Sequence, residues 1–355
     1  MKQVFLISHL SSEGPVNALY SILSGFKGRG NDITVLTLAA PEGDVLKKDF
    51  ENLDCKVVNI PISKNNFIKS LFKIRSFIRE GHFDIASSTC IRADFALAFS
   101  AFFLKHTVCV STVQNIPADD LGHLYPGVYG KILSCLHYRI LKLFGKNIIS
   151  VSESVKNDIF HKIHRISEVI YNPIALSDEE YSIGVVPTVI YAASLSTRKN
   201  PDEAISFTSL ICEEGKFKLN IYGKGPLEKD LKVKFQNKSY INFLGYTNTL
   251  AKEFSSATFY VSSSLSEGLP LTPQMALILG CPCVLSNIPQ HYELSKLSKN
   301  VFLYTVGDYS SFSLACKKAI NVDREEAKKD GRRIKDMLSP NACVNALVRF
   351  YSSRM

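Results

Sequence analysis

Three short segments in the second half of the chain carry residues that could bind and activate a ligand. The adjacent cations Arg198 and Lys199 lie in "AASLSTRKNP", the glycines Gly223 and Gly225 lie in "IYGKGP", and the carboxylate of Glu267 lies in "SEGLPLTP". Cations and free backbone N–H groups bind phosphates, and a carboxylate accepts hydrogen bonds from hydroxyls. Together these groups suit a diphosphate that carries a hydroxylated group.

Each of these segments follows a β-rich run and precedes a helix-like run, and a fourth segment, "FLGY", also ends a β-rich run. The same alternation occupies both halves of the chain, from "QVFLIS" and "DITVLTL" to "TVIYAAS" and "FKLNIYG". It predicts two α/β domains with parallel, doubly wound sheets. Ligands bind such sheets outside the carboxyl ends of the strands, so we expect the four segments to share one crevice.

The length of 355 residues corresponds to about two ordinary domains. We predict a first domain over 1–174, a polar and turn-rich linker over 175–187, and a second domain over 188–338. An amphipathic helix over 339–355 has no strand after it, and it is free to pack back on the first domain.

Composition narrows the class of protein. The 9 cysteines show no metal-ligand spacing, which indicates reduced thiols in a reducing cytosol, and no metal site is predicted. The longest weakly charged run, "FALAFSAFFL", is half as long as the roughly 20 residues that cross a bilayer. The start "MKQVFLISHL" is typical of a buried strand rather than of a secretion signal.

Two stretches, residues 55–79 and 121–152, contain many cations and no acid. On a helix over 131–146, Lys131, Arg139, Lys142 and Lys146 fall within about 80° of arc, opposite a broad apolar arc. This pattern is typical of a helix lying on an anionic membrane surface. A helix packed into the core with a solvated basic face remains the alternative. The net charge of +9 does not indicate nucleic acid, because neither stretch offers a stacking platform.

The run "TRKNP…IYGKGP…FLGY…SLSEGLPL…GCPCVLSNIP…EL" resembles the donor-binding domain of retaining glycosyltransferases of family four, the glycosyl transferases group 1. The resemblance extends to the first half through "SSEGPVNALYSIL", "STVQN", "SVSESVKNDI" and "VIYNPI". It implies the GT-B fold, in which two Rossmann-like domains face a cleft. It further implies transfer of a sugar, with retained configuration, from a nucleotide diphosphate (UDP) sugar on the second domain to an acceptor on the first. Such enzymes typically need no catalytic metal and no other cofactor.

The resemblance also implies roles for individual residues. Lys199 matches the phosphate-binding lysine, and Glu267 matches the first Glu of a Glu–seven residues–Glu motif that contacts the donor sugar. Gly14 matches the Gly-rich loop of the first domain. The full implied donor side is Gly14, Ser194, Gly223, Gly225, Tyr246, Gly268, Leu269, Pro270, Leu271, Thr272 and Met275, and the implied acceptor side is Gln114 and Asn115.

Three positions depart from the family pattern. Ser194 replaces an arginine, for which Arg198 is near enough to substitute, and Gln114 replaces a histidine. Met275 replaces the second Glu, which contacts ribose hydroxyls, at a cost of about 1.5–3 kcal/mol for a lost charged acceptor. Locally, we expect Thr272 to cap the following helix and Met275 to be its third residue.

The sequence thus predicts a cytosolic glycosyltransferase, peripheral on the inner face of the plasma membrane. Its expected acceptor is a lipid-linked oligosaccharide of a bacterial surface polysaccharide such as O-antigen, capsule or exopolysaccharide. Two alternatives stay open: a non-catalytic GT-B partner with a decayed donor site, and a sugar-nucleotide epimerase of the same fold. A nicotinamide dehydrogenase is poorly supported, because no Gly-x-Gly-x-x-Gly follows a strand.

Overall fold

The computed structural model describes residues 1–102, 104–176, 187–215, 217–247 and 249–355. These residues divide into two compact units, one comprising Met1–Ala175 with Leu338–Met355 and the other Leu176–Met337. Most of the predicted linker, 175–187, falls on 177–186 and so lies outside the described residues.

The first unit contains a seven-stranded parallel sheet in the order β3-β2-β1-β4-β5-β6-β7. Its strands are β1 Lys2–Ile7, β2 Asp32–Thr37, β3 Lys56–Asn59, β4 Ile85–Thr89, β5 Val108–Val113, β6 Ile148–Ser150 and β7 Glu168–Val169. Its connecting helices are α1 Gly14–Phe26, α2 Lys47–Glu51, α3 Phe67–Glu80, α4 Ile91–Ala101, α5 Pro117–Leu124, α6 Val128–Leu143 and α7 Glu153–Ile163.

The second unit contains a six-stranded parallel sheet in the order β10-β9-β8-β11-β12-β13. Its strands are β8 Thr188–Ala192, β9 Lys218–Tyr222, β10 Ile241–Gly245, β11 Phe259–Ser262, β12 Cys283–Ser286 and β13 Val301–Tyr304. Its helices are α8 Pro201–Gly215, α9 Glu228–Lys234, α10 Leu250–Ser256, α11 Leu271–Ile278, α12 Pro289–Leu297, α13 Tyr309–Ile320 and α14 Arg324–Met337, and the chain's last helix is α15 Pro340–Ser352.

The inner strands of both parallel sheets are buried along almost their whole length. Strand β1 is buried from Gln3 to Ile7, and β11 is buried throughout. Strands buried on both faces need helices on both faces, and the right-handed strand–helix–strand crossover supplies them. The predicted doubly wound α/β class is therefore confirmed for both units.

Helix α15 belongs to the first unit, where it packs against α1 in the same hydrophobic core. Gly25 allows this close approach, because a Cβ there would lie 2.6 Å from the carbonyl oxygen of Pro340. The Ser339 hydroxyl caps the helix by accepting a hydrogen bond from the amide of Ala342 at 3.2 Å. Arg29 adds hydrogen bonds to Asn341 and Asn345 at 2.7 and 2.8 Å.

Helix α6 is anchored by a buried polar network rather than by apolar contact alone. Asp94 on α4 accepts hydrogen bonds from the hydroxyls of Ser88 and Ser111 at 2.6 and 2.7 Å, and its other oxygen lies 2.8 Å from Nε2 of His137 on α6. The Tyr138 hydroxyl donates to Asp158 on α7 at 2.6 Å. These contacts fix which face of α6 is turned outward.

The extent of the basic helix differs from the sequence prediction. Helix α6 ends at Leu143, so Lys146 of the predicted 131–146 helix lies beyond it, and a separate helix, α5, precedes α6. Pro117 begins α5, where its fixed φ and missing N–H are tolerated. In the described part of the chain, no helix is both long and apolar enough to cross a membrane.

Candidate active site

The two predicted cations lie on a single turn of 3₁₀ helix, Thr197–Lys199, between β8 and α8. Asn200 ends this turn in the left-handed conformation, with a φ of 47°, and Pro201 then begins α8. Arg198 and Lys199 are partly buried, with side chains 24% and 17% exposed. The turn therefore presents both cations at the carboxyl end of the central strand of the sheet.

Glu267 joins these cations from the loop between β11 and α11, and its side chain is only 6% exposed. It accepts hydrogen bonds from Nζ of Lys199 and, at 3.1 Å, from Nη1 of Arg198. The same Nη1 donates to the carbonyl oxygen of Ser266 at 2.7 Å. The structure thus brings Arg198, Lys199 and Glu267 into one cluster of buried charges.

Hydrogen bonds from the serine-rich end of β11 connect the cationic turn to the loop that carries Glu267. The Ser263 hydroxyl donates to the carbonyl oxygens of Lys199 and Asn200 at 3.1 and 2.6 Å. The amide of Leu265 donates to the carbonyl of Arg198 at 2.9 Å. These bonds connect the backbones of the cationic turn and of the Glu267 loop, so the charged side chains are held by rigid main chain.

Burial and charge act in opposite directions on the pKa values of this cluster. Burial alone would raise the pKa of Glu267, but Lys199 and Arg198 more than offset it, and the pKa is lowered to about 2. Burial lowers the pKa of Lys199, and the ion pair with Glu267 opposes that change. Glu267 is therefore a carboxylate at neutral pH, held as the shared counter-ion of two cations.

His291 belongs to this site although the sequence reasoning did not include it. It lies on the first turn of α12, is fully buried, and interacts electrostatically with Glu267 and Lys199. Burial lowers its pKa to about 4, so the ring is neutral at pH 7. Nδ1 donates to the carbonyl of Ser286 at 2.8 Å, which leaves Nε2 as an acceptor with no partner among the described residues. No motif in a single sequence marks such a residue.

The glycines of "YGKG", predicted to lie on the donor side, are required by the packing of the chain itself. Gly223 has a φ of 137°, and a Cβ there would lie 1.9 Å from the carbonyl oxygen of Ala193. A Cβ on Gly225 would lie 2.5 Å from the carbonyl of Leu195. The absence of side chains at these two glycines therefore lets the backbone of residues 193–195 pack closely against them, and this segment leads into the cationic turn.

The start of α11 corrects the predicted cap. The N-cap is Pro270, not Thr272, and Met275 is the fifth helical residue rather than the third. Pro270 already has the extended backbone that a cap requires, with a φ of −71° and a ψ of 123°. Its lack of an N–H leaves Leu271 and Thr272 to supply the amides that a first helical turn leaves unpaired.

The other predicted donor-side residues of the second unit differ in their exposure. Gly268, Leu269 and Pro270 are buried in the loop after Glu267, whereas Met275 is half-buried. Ser194 is exposed beside the cationic turn, and Tyr246, which follows β10, is 62% exposed.

The predicted residues of the first unit lie at the carboxyl edge of its own sheet. Gln114 follows β5 and accepts a hydrogen bond from Asn172 at 2.7 Å, and both line a cavity of about 20 Å³. Asn115 donates to Asp120 on α5 at 3.3 Å. Gly14 begins α1, and a Cβ there would meet nothing within 4 Å, so the fold does not require glycine at this position.

A strained residue after β4 also escaped the sequence reasoning. Cys90 has a φ of 73° and a ψ of 156°, a region that residues with a side chain rarely occupy, and it precedes α4.

Within the described residues, no group of three or more His, Cys, Asp or Glu side chains is arranged to hold a metal ion. Independence of metal stays a prediction.

Comparisons with known proteins extend these observations. Residues 179–336 match the model of the family described as glycosyl transferases group 1. An uncharacterized glycosyltransferase of Methanocaldococcus jannaschii is 28% identical over 232 residues, 58% of this chain and 59% of that protein. The O-antigen biosynthesis glycosyltransferase WclY of Escherichia coli is 24% identical over 315 residues, 83% of this chain and 82% of the relative.

A shorter match comes from a second Escherichia coli protein, UDP-Gal:alpha-D-GlcNAc-diphosphoundecaprenol alpha-1,3-galactosyltransferase. It is 34% identical over 96 residues, 26% of this chain and 25% of that protein. The chain thus spans less than two thirds of the length of two of these relatives.

Solved structures match over nearly the whole chain. Anabaena Alr3699/HepE in complex with UDP has a TM-score of 0.79 at 16% identity, covering 99% of this chain and 100% of that one. Staphylococcus aureus TarM, in a complex that includes UDP, has a TM-score of 0.78 at 12% identity, covering 99% of both chains. These likenesses show the fold: two parallel-sheet, Rossmann-like domains of the kind found in GT-B glycosyltransferases, the second of which carries the group 1 segment.

Proposed function

We propose that the protein is a retaining glycosyltransferase that moves a sugar from a UDP-sugar to a lipid-linked oligosaccharide during synthesis of a bacterial surface polysaccharide. The observation that carries this proposal is the buried cluster of Arg198, Lys199 and Glu267 at the carboxyl edge of the second sheet. It lies inside the segment that matches the glycosyl transferases group 1.

The cluster has the chemistry that such a transfer needs. As the bond between sugar and diphosphate breaks, negative charge grows on the leaving diphosphate, and fixed cations at that point stabilise the transition state. The Lys199 ammonium has three N–H donors, of which Glu267 uses one, so donors remain for phosphate oxygens. Glu267, as a carboxylate, accepts hydrogen bonds from sugar hydroxyls, and the free amides of Leu271 and Thr272 add donors without charge.

The contacts of Arg198 support the proposal that it acts in place of the arginine that the family pattern has at position 194, where this chain has Ser194. Its guanidinium is held by Glu267 and by the carbonyl of Ser266, one step along the turn from Lys199. A guanidinium has five N–H donors, so the bonds observed leave others for a phosphate. We propose that Arg198 and Lys199 share the diphosphate, while Met275 supplies no hydrogen bond to the ribose.

The relatives support the proposed donor and acceptor. The name of one Escherichia coli relative specifies UDP-Gal as donor and a GlcNAc-diphospholipid as acceptor, and another acts in O-antigen biosynthesis. HepE and TarM were both crystallised with UDP. By this proposal the second unit binds the UDP-sugar, and Gln114 and Asn115 of the first unit are on the acceptor side.

Features of α3 and α6 support attachment to the anionic inner face of the plasma membrane. The apolar arc predicted on α6 is divided: Ile140 and Phe144 are buried, whereas Ile132, Leu136 and Leu143 are 44–58% exposed. A core-packed helix would bury all of them, so this division favours the membrane interpretation.

Helix α3 carries a second set of exposed apolar residues on the same side of the sheet. Phe67 and Phe72 of α3 contact Phe95 and Phe99 of α4, with ring centroids 5.5 Å apart in both pairs, and α4 in turn packs against α6. Phe67, Ile68 and Phe72 are 42–67% exposed. Apolar side chains beside cations are what an interfacial helix inserts at the level of lipid headgroups.

A transfer assay tests the proposal directly. The full chain is incubated with labelled UDP-sugars and a polyprenyl-diphosphate GlcNAc acceptor, with and without EDTA. We expect one UDP-sugar to yield an elongated lipid product, with α configuration by NMR and an unchanged rate in EDTA. Product of inverted configuration would contradict the retaining mechanism, and a rate abolished by EDTA would contradict metal independence.

The non-catalytic alternative is favoured only by the residues at Ser194, Met275 and Gln114. It predicts no transfer and no thermal stabilisation by any nucleotide diphosphate sugar. The epimerase alternative predicts interconversion of the UDP-sugar in the absence of any acceptor, which the same assay detects.

A further inference from the structure

A cavity of about 360 Å³ lies in the first unit at the amino end of β5 and β6, the edge of the sheet opposite to Gln114. Its apolar wall includes Ala98 and Ala101 of α4 and Leu143 of α6. Phe102, which is 70% exposed, follows α4 at its rim. The volume lies within the roughly 300–1,000 Å³ of pockets that hold small ligands.

The polar residues of this cavity include two cations and two atoms that lack partners. Lys146 and Arg354 line it, and no carboxylate of the described residues lies within 4.0 Å of either side chain. Nε of Arg354 and Oδ1 of Asn147 are buried, and neither has a hydrogen-bond partner among the described residues. These two atoms are enclosed by protein, so the groups available to an occupant are the Lys146 ammonium and the outer N–H groups of the Arg354 guanidinium.

Arg354 is held in position rather than free in solvent. Its guanidinium carbon lies 4.8 Å from the ring centroid of Phe350 on α15, and its amide donates to the carbonyl of Tyr351 at 2.9 Å. A guanidinium stacked on an aromatic ring is less hydrated than a lysine ammonium, and its planar fork suits a phosphate.

The surface beside the cavity indicates what enters it. Leu143 belongs both to the cavity wall and to the exposed apolar residues of α6, and Lys142 and Arg139 lie on the adjacent exposed face of that helix. No acid occurs from residue 121 to 152. An occupant therefore meets apolar surface and positive charge together, which excludes a cation and disfavours a purely polar anion.

We propose that this cavity binds one anionic phospholipid of the membrane. The upper part of an acyl chain lies along Ala98, Ala101 and Leu143, and the phosphate is bound between Lys146 and Arg354. The site adds a specific lipid contact to the general attraction of α3 and α6 for a charged membrane, and it is separate from the donor site.

The test uses the full chain and soluble short-chain lipids below their micelle concentration. Titration calorimetry with dihexanoyl-phosphatidylglycerol is expected to show saturable 1:1 binding, at least about tenfold tighter than with dihexanoyl-phosphatidylcholine. Inorganic phosphate is expected to bind at least tenfold more weakly as well. Equal affinity for phosphatidylcholine would mean a site for apolar chains only, and equal affinity for phosphate would mean a plain anion site. Either result, or no binding at all, would overturn the proposal.

Two variants locate the binding. Arg354→Gln, next to the chain end, is expected to weaken phosphatidylglycerol binding at least tenfold, and Ala101→Leu is expected to do the same by filling the cavity. Arg349→Gln, an exposed arginine on α15 that does not line the cavity, is the matched control and leaves that binding unchanged. Wild-type affinity in both cavity variants would contradict the assignment. Because the readout is lipid binding and not sugar transfer, its failure leaves the proposed donor site untouched.

Discussion

The cations of the two units are placed in opposite ways. In the second unit Arg198 and Lys199 are mostly buried and share Glu267 as counter-ion. In the first unit Lys131, Arg139 and Lys142 of α6 are exposed, and no carboxylate of the described residues lies within 4.0 Å of them. The first arrangement fixes charge at one point, whereas the second spreads charge over a surface.

This difference separates two kinds of electrostatics. Buried charges are weakly screened, strongly coupled and costly to leave unpaired, so removing one affects both chemistry and stability. Exposed charges act through a field that falls off over about 8 Å at physiological salt, so removing one changes surface attraction and little else. Substitutions in the buried cluster are therefore expected to have larger effects than substitutions on the exposed face.

Lys199→Ala is expected to lower the rate of sugar transfer by about 10²–10³-fold, the usual effect of removing one group that stabilises a transition-state charge. Lys229→Ala is the matched control, because Lys229 is an exposed lysine on α9 of the same unit. The measurement is kcat with a soluble acceptor. Comparable rates in the two variants would show that the buried cluster is not the catalytic centre.

Acid should destabilise the second unit through His291. Its pKa is about 4 in the folded chain and 6.5 in the unfolded chain, so the unfolded chain binds the proton first as the pH falls. The free energy of unfolding therefore decreases from pH 6.5 to 4, by about 3 kcal/mol, and levels off below. Glu267, lowered to about 2 from 4.5, adds its own loss only below about pH 4.5.

Urea unfolding of wild type and His291→Asn at pH 7 and pH 4.5 measures this effect. The wild type is expected to lose more stability than the variant between these pH values. Parallel losses would mean that the buried imidazole does not titrate as its surroundings imply.

Replacing Lys131, Arg139 and Lys142 together by Gln is expected to weaken binding to anionic vesicles by about 2–3 kcal/mol, at about 1 kcal/mol per cation. High salt should also abolish the binding of the wild-type chain to anionic vesicles, because it screens the same charges. Sedimentation with vesicles measures the partition, and transfer to a soluble acceptor should stay unchanged. Undiminished vesicle binding would show that the basic face of α6 is solvated and does not contact the membrane.

Met275→Glu is the smallest expected change and a gain of function. A carboxylate at this half-buried position of α11 is expected to tighten UDP binding by up to about 1.5–3 kcal/mol, through the ribose hydroxyls. Met337→Glu, on the surface of α14, is the control. If both variants bind UDP alike, Met275 does not face the nucleotide.

The sequence was sufficient for the fold class because strand–helix alternation and buried strands determine a parallel sheet. It also predicted that Arg198, Lys199 and Glu267 share one edge of the sheet, since β8 and β11 end there as neighbours. The contacts among them depend on loop geometry, such as the hydrogen bonds of Ser263, which no periodicity encodes. Their role in donor binding stays a prediction.

Other features could not be read from one sequence for physical reasons. Pro270 and Thr272 both offer a helix start, and only the backbone path through the buried Glu267 loop decides between them. The clash that Gly225 avoids is with Leu195, 30 residues earlier, so a glycine alone does not show what approaches it. His291 enters the site because α12 packs against β13 and its first turn contacts Ser286 at the end of β12, which a local motif does not reveal.

Titration calorimetry of UDP on the full chain tests the central claim most directly. We expect one UDP bound per chain, with affinity reduced at least about tenfold by Lys199→Ala and unchanged by Lys229→Ala. Failure of the wild type to bind UDP or any other nucleoside diphosphate, or equal affinity in Lys199→Ala and wild type, would contradict it.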